Sequence, residues 1–370
     1  MPHKKLLHIF QSFEMGGAQN RFLQFMRHAA HPEHDHYILA LNGNYSLLEH
    51  WPKTVRRPIL YDEFHYKKGY ILRNIFAFWQ LFRKKSFDLI LTQNWPTIEA
   101  VIANTPQKIP HIHSEDGFGA DEANGLKSRR NLVRKIFLMG KTLLVPSLTL
   151  KKIADDYWRG PDCDLYYIMN GVEDHKDDEP PCPFDFRDKI IFTTVAILRP
   201  EKNLSLFMTV LADLVHDHGL SLIWVIIGDG PCLNDLKAQA KRLNLIEGEH
   251  ILFTGFQKNY KPYLKHSDIF VLSSLTEQQP LSVLEAMSYL KPVIATDVGD
   301  IATMVAPENR DLIAHSVFQA PYTSLKALIK EPKYRQSLGL ANKNWQMTYF
   351  DLEHSLKMRA KLIEERMSYT

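Results

Sequence analysis

Short apolar runs rich in β-branched and aromatic residues alternate with longer stretches of helical periodicity along nearly the whole chain. No other feature constrains the fold as much. In the first half the runs are 5–10, 36–41, 87–92, 110–113, 142–146 and 165–169, separated by helical stretches such as 18–30, 70–85 and 129–139. In the second half they are 190–197, 222–227, 250–253, 268–272 and 292–295, with helical stretches at 204–216, 233–243 and 281–290. Strands that alternate with helices mean βαβ units, and hence parallel sheets with helices on both faces. The unbroken run Ile223-Trp224-Val225-Ile226-Ile227 suits a strand buried on both sides.

At 370 residues the chain is too long for one ordinary core and long enough for two domains. The pattern breaks once, at an acidic, proline-rich segment after Gly171-Val172 that can continue neither a helix nor a central strand. The expected organisation is an α/β domain over 1–172, a linker over 173–188 and a second α/β domain over 189–349. A last helical stretch near 350–370 is expected to pack back on the first domain.

Composition removes several classes of function. The three cysteines are scattered, and neither they nor the histidines show metal-ligand spacing, so neither a disulfide scaffold nor a metal site is expected. A net charge of +3 does not argue for nucleic acid, and no helix-turn-helix, finger or RNA-binding aromatic motif is present. The apolar run Leu6 to Phe10 is far too short for a signal segment or a spanning helix, and no later stretch is long enough. A cytoplasmic location is expected, or one on the inner membrane face without crossing it.

In open α/β sheets ligands bind at the carboxyl ends of the strands, which singles out five places. Gly16-Gly17 follows the first strand and precedes a helix, where backbone N–H groups can approach an anion, although a plain tight turn explains the pair as well. The polar loop His113-Ser114-Glu115-Asp116-Gly117-Phe118-Gly119 ends another strand and puts His113 where a substrate would be. In Leu198-Arg199-Pro200-Glu201-Lys202-Asn203 two cations precede a helix and can reach a diphosphate over its N-terminus; a solvated loop with an Asn cap is the plainer account. Gly228-Asp229-Gly230-Pro231 closes a strand with a turn of a kind that is usually structural. The most informative stretch runs from Ser274 to Met287. Glu277 falls just past a buried strand, and Pro280 and Ser282 suit the start of a helix. Glu285 then sits in an apolar stripe with Leu281, Leu284 and Met287, where an unpaired charge is expensive.

Taken together, in this order and spacing, the Gly-Gly pair, L-R-P-E-K-N, G-D-G, F-T-G-F, E-x(7)-E with E-A-M, and T-D-V-G-D resemble glycosyltransferase family 4, the retaining transferases of GT-B fold. The resemblance implies two Rossmann-like, doubly wound parallel-sheet domains facing each other across a cleft. It also implies a sugar transferred with retention from a nucleotide-diphosphate donor. Glu285 would hold the ribose hydroxyls and Glu277 the sugar hydroxyls, with Gly228, Pro280 and Leu281 lining the same site. Arg199 and Lys202 would neutralise the diphosphate with help from Gly16 and Gly17, so that no metal or other cofactor is needed, and His113 would sit beside the anomeric centre. Family frequency favours a UDP-sugar, with GDP-mannose second. Two departures stand out: Ile197 where many relatives carry Arg, and Gln278 where many carry Gly.

Acceptor choice is then expected in the first half, where two stretches interleave cations with large apolar residues, from Tyr70 to Lys85 and from Lys127 to Lys141. Such helices can lie on an anionic membrane, or can simply pack on a sheet with a basic outer face. The first reading points to a lipid-linked glycan acceptor in polysaccharide or lipopolysaccharide assembly. A nucleotide-sugar epimerase and a non-catalytic nucleotide-sugar-binding regulator stay open as alternatives.

Overall fold

The continuous apolar runs form the strands of two parallel sheets, one in each of two units into which the chain divides. The computed structural model describes residues 3–31, 33–118, 122, 125–174, 181–182, 184, 186, 188–216, 219–314 and 322–368. Gly119 and most of the linker expected over 173–188 lie outside them. One unit comprises Met1–Phe118, Gly125–Asn170 and Leu352–Thr370, and the other is built on Gly171–Asp351.

The first unit runs β1 (Lys5–Phe10), α1 (Gly17–His28), β2 (Asp35–Ala40), β3 (Ile59–Leu60), α2 (Ile71–Lys84), β4 (Leu89–Gln93), α3 (Ile98–Ala103), β5 (His111–Ser114), α4 (Ser128–Phe137), β6 (Thr142–Val145), α5 (Leu148–Ile153) and β7 (Asp164–Tyr167). The second runs β8 (Ile190–Val195), α6 (Leu204–His216), β9 (Leu222–Ile227), α7 (Leu233–Arg242), β10 (Ile251–Gly255), α8 (Lys261–His266), β11 (Ile269–Leu272), α9 (Leu281–Ser288), β12 (Val293–Thr296), α10 (Ile301–Met304), β13 (Ile313–Ala314), α11 (Tyr322–Lys330) and α12 (Pro332–Tyr349). The last helix, α13 (Leu352–Ser368), belongs to the first unit.

The first sheet has the order β3-β2-β1-β4-β5-β6-β7 with parallel pairing throughout. Alternation along β1 sends Leu6 and Phe10 to a core shared with Phe22 of α1 and with Leu352 and Leu356 of α13. It sends Leu7 and Ile9 to the other face, against Phe78, Leu81 and Phe82 of α2 and Ala100 of α3. Ser355 Oγ donates to the carbonyl of Met169 at 2.6 Å and Arg359 to that of Ile168 at 3.1 Å, which fastens α13 to the chain just past β7.

The second sheet has the order β10-β9-β8-β11-β12-β13, again parallel. Trp224 and Ile226 of β9 pack with Phe207 and Leu211 of α6, while Val225 and Ile227 turn to Tyr263 of α8. Strand order reverses between β1 and β4 in one sheet and between β8 and β11 in the other, and the loops beyond those strands are where this architecture holds ligands.

Several elements extend the pattern read from the sequence. The two-residue strands β3 and β13 are too short to show a period. The 18-residue α12 buries Asn342, Lys343 and Gln346, so no clean apolar stripe announces it.

Candidate functional site

In the second unit the loops beyond β8 and β11 are stitched together by hydrogen bonds to backbone carbonyls. Ser273 Oγ donates to the carbonyls of Lys202 and Asn203 at 3.1 and 3.0 Å, and Leu275 N–H to that of Glu201 at 2.8 Å. Asn203 takes a left-handed φ of 47°, which ends the turn Pro200–Lys202 and lets α6 begin at once. The stitching brings two of the expected residues into contact: Lys202 Nζ lies 2.5 Å from Glu277 Oε1. Ser274 Oγ donates to the same oxygen at 2.7 Å. Lys202 and Glu277 are 24 % and 11 % exposed, so the pair is largely removed from water yet still reachable. Arg199 precedes the turn and is exposed.

Pro280, at φ −66°, ends the loop beyond β11 and hands over to Leu281, the first residue of α9. Glu285 lies on the second turn of that helix, and its two oxygens sit 2.8 and 2.9 Å from the hydroxyl of Tyr260. Burial pushes the Glu285 carboxyl up to about 7, against the pull of the Tyr260 hydrogen bond and the Lys261 charge. Burial and the same carboxylate hold the Tyr260 hydroxyl well above its usual 10, so it remains a donor.

Two glycines support this edge by packing. At Gly228, φ is 141° and a Cβ would fall 1.9 Å from the carbonyl oxygen of Ala196. At Gly299, φ is 60° and a Cβ would fall 2.3 Å from the carbonyl oxygen of Glu277. The missing side chain of Gly228 makes room for the loop that carries Lys202, which accounts for the glycine by packing within the unit.

Gly16 and Gly17, in the first unit, are different. Gly16 is extended, at φ −168° and ψ 173°, and Gly17 opens α1 with nothing within 4 Å of a Cβ placed on it. Only the movable Gln19 side chain would meet a Cβ on Gly16 at short range. Neither a turn nor packing within the unit requires glycine at these positions, so the tight-turn explanation loses its ground. What remains is open backbone at a helix N-terminus.

His113 lies inside β5 rather than beyond it, and its ring is 0 % exposed. That corrects the placement of His113 against a substrate. Its partners fix its proton. Asn104 donates through Nδ2 to His111 Nδ1 at 3.1 Å, because its Oδ1 accepts from Ile109 N–H. His111, held well below its usual 6.5 by burial and then by the Lys141 charge, therefore donates from Nε2 to Thr92 Oγ1 at 2.8 Å. The Thr92 hydroxyl donates in turn to His113 Nδ1 at 2.7 Å, which leaves Nε2–H of His113 to donate to Glu115 Oε1 at 3.3 Å. Arg134 Nε donates to the same oxygen at 2.6 Å. Burial alone would raise the Glu115 carboxyl; the Arg134 charge and the His113 bond outweigh it and hold the carboxyl below 4.5. Next along the chain, Asp116 is half-buried; its carboxylate accepts from Arg21 at 2.5 Å and its backbone N–H donates to Asn94 Oδ1 at 2.6 Å.

The same network corrects the reading of the stretch from Lys127 to Lys141. Arg134 is 1 % exposed and Lys141 is buried with its Nζ on the Phe137 carbonyl, so neither contributes to a basic outer face. Arg129 and Lys135 do. Sequence reasoning missed Tyr260, Thr92 and the Glu115–Arg134 pair, whose partners lie 25, 21 and 19 residues away with no motif to join them.

Comparison with known proteins agrees with this architecture. The family described as Glycosyl transferases group 1 matches residues 178–345, and Glycosyltransferase Family 4 matches residues 15–176. The UDP-Gal:alpha-D-GlcNAc-diphosphoundecaprenol alpha-1,3-galactosyltransferase of Escherichia coli is 27 % identical over 64 % of this chain and 65 % of its own. The alpha-monoglucosyldiacylglycerol synthase of Streptococcus pneumoniae is 30 % identical over 36 % of this chain and 30 % of its own. The chain thus spans less than two thirds of the length of these curated relatives. Among solved structures, Anabaena Alr3699/HepE in complex with UDP and glucose aligns with a TM-score of 0.76 at 16 % identity, covering 98 % of this chain and 100 % of that one. The lipopolysaccharide outer core galactosyltransferase WaaB aligns at 0.67 and 17 % identity, covering 98 % and 99 %. At such identities these structures speak for the fold.

Proposed function

Because the chain belongs to the family 4 glycosyltransferases of GT-B fold, we propose that it transfers a sugar from a nucleotide-diphosphate donor to a glycan or lipid-linked glycan acceptor in surface-polysaccharide or lipopolysaccharide synthesis. The observation that carries this reading is the convergence of Lys202, Glu277 and Ser274 where the loops beyond β8 and β11 meet. A cation and a carboxylate held there suit a diphosphate and the hydroxyls of the sugar attached to it.

In this reading Glu285 takes the ribose hydroxyls and Glu277 those of the sugar, while Lys202 and Arg199 meet the diphosphate. Protein cations on the leaving group lower the barrier to its departure and make a metal unnecessary. The transfer retains anomeric configuration, with a diphosphate oxygen receiving the acceptor proton. UDP is the nucleotide we favour, since it is the one named for the Escherichia coli relative and for the HepE complex. Gly16 and Gly17 offer open backbone N–H groups to an anion. His113, buried and bonded at both ring nitrogens, shapes the loop that presents Asp116. We place the protein on the cytoplasmic side, at the surface of the membrane through α2 and α4.

Calorimetric binding of UDP, GDP, ADP and their sugars, each with and without EDTA, tests the reading. Binding of one nucleotide family that EDTA leaves unchanged is expected. Loss of binding in EDTA would replace the metal-free site with a metal-assisted one. Binding without transfer to any acceptor would favour a regulator, and failure of every nucleotide to bind would end the proposal.

A further inference from the structure

We propose that Tyr260 is a positioning residue of the donor site: its hydroxyl bridges both oxygens of Glu285 and sets that carboxylate to receive a cis-diol. The inference rests on Glu285 being the carboxylate that takes the ribose.

Tyr260 ends the loop beyond β10 and opens α8, where its carbonyl accepts from Tyr263 N–H at 3.0 Å and Leu264 N–H at 3.3 Å. Pro262, Tyr263 and Leu264 are buried, so this short helix has little freedom to move. The phenol is thereby fixed over α9 with its oxygen nearly equidistant, at 2.8 and 2.9 Å, from the two carboxylate oxygens of Glu285. A phenol has one proton and a carboxylate about four acceptor sites, so the bridge orients Glu285 and leaves it able to receive two more donors. A ribose cis-diol supplies two.

The ionised carboxylate accepts from Tyr260 and from both ribose hydroxyls as charge-assisted bonds, whereas protonation removes the charge and turns one oxygen into a donor. With its carboxyl pushed up to about 7, Glu285 is mostly protonated at pH 6 and mostly ionised at pH 8. Few other charges bear on it. Lys261 of α8 lowers its carboxyl, and Tyr289 beyond α9 acts on Tyr260. The packed strands β11 and β12 carry no titratable side chain, and Lys343, buried on α12, pairs with Asp174. Nucleotide-sugar affinity should therefore rise about tenfold between pH 6 and pH 8, as expected for one group titrating near 7.

The test is calorimetry of UDP-galactose, with GDP-mannose in parallel, from pH 5.5 to 8.5 on the full chain. Nucleotide sugars are used because a free diphosphate carries a terminal proton that titrates in the same range. In Tyr260→Phe the bond that holds the carboxyl down is lost, so the rise in affinity should move upward by about one pH unit. The variant should bind several-fold more weakly at pH 7 and approach the wild type at pH 8.5. Glu285→Gln should bind weakly with a flat profile, and melting curves show whether either variant is folded. A flat wild-type profile, a Tyr260→Phe profile identical to the wild type, or tighter binding by that variant at every pH would overturn the role of Tyr260 and leave the donor site standing. Failure of both nucleotide sugars to bind at any pH overturns the donor reading and this inference together.

Discussion

Three glutamates in this chain occupy three environments, and their partners decide what each can do. Glu277 shares a reachable edge with Lys202, Glu285 is bridged by Tyr260, and Glu115 is sealed in the first unit between His113 and Arg134. For Glu115, Arg134→Met keeps most of the volume and leaves a buried carboxylate without its ion partner. It should destabilise the protein by about 3–5 kcal/mol at pH 7. Glu115→Gln added to it should recover much of that loss, since no charge then remains to be paired. The pH dependence has a definite sign. The folded carboxyl is held below 4.5, so its stabilisation is complete above that value and is lost as pH falls through the depressed one. In Arg134→Met burial raises the same carboxyl instead, and the variant gains on the wild type as pH is lowered from 7 to 5. Urea unfolding at the two pH values measures this, and a stability difference that stays constant between them would defeat the account. The spacing of Glu277 and Glu285 beside a strand end and a helix start made them visible in the sequence. Arg134 was not: in sequence it is one cation among several on a basic stretch, and only the fold brings Glu115, just past β5, to it.

Among the elements, most of the strands announce themselves and some helices do not, for one physical reason. A parallel strand covered on both faces reads as a near-continuous apolar run, as β9 does, and no competing pattern hides it. A helix declares itself by an apolar stripe, and α12 buries polar groups where that stripe should be. Its Asn342 donates to the carbonyl of Lys291 at 3.0 Å and to Asn309 Oδ1 at 2.9 Å, while its own Oδ1 accepts from Ala306 N–H at 3.0 Å. Asn309 in turn exchanges two bonds with the backbone of Val293, at 2.7 and 2.9 Å. Two buried asparagines thus join α12 to the turn Pro307–Leu312 and to the start of β12. Asn342→Leu would leave a buried N–H and a buried carbonyl without partners, at about 1–3 kcal/mol each, and should destabilise the second unit by roughly 3 kcal/mol. Hydrogen exchange locates the damage: the amides of Ala306 and Val293 should lose protection before those of β9. An Asn342→Leu protein as stable as the wild type would mean that the clasp contributes packing alone.

For the molecule as a whole, a net charge of +3 is too small to draw it to an anionic membrane, so any attraction has to come from where charge and apolar surface lie together. In the first unit they coincide on the helices that cover the Leu7 and Ile9 face of the sheet and its β6 flank. On α2, Leu72 is 83 % exposed and Phe76, one turn on, is 55 % exposed, with Arg73, Arg83 and Lys84 beside them. On and just after α4, Leu132, Ile136 and Met139 follow helical spacing and are 58, 49 and 45 % exposed, next to Arg129 and Lys135. A large side chain moved from water into the acyl boundary gains about 1.5–3 kcal/mol, and each cation near an anionic surface adds about 1. Leu72→Ser with Phe76→Ser should therefore weaken co-sedimentation with phosphatidylglycerol vesicles by at least about a hundredfold, since 1.4 kcal/mol is a factor of ten. Arg129→Gln with Lys135→Gln should weaken it by about thirtyfold, and that part alone should fade as salt is raised. Both pairs are exposed, so melting temperatures should not move, whereas replacing Arg134 along with them would confuse lost attraction with lost stability. If both variants sediment with the vesicles as the wild type does, these helices are an ordinary outer layer of the sheet. If neither binds and the wild type does, α2 and α4 hold the protein on the anionic surface, and lipid-linked glycans become the acceptor class to screen first.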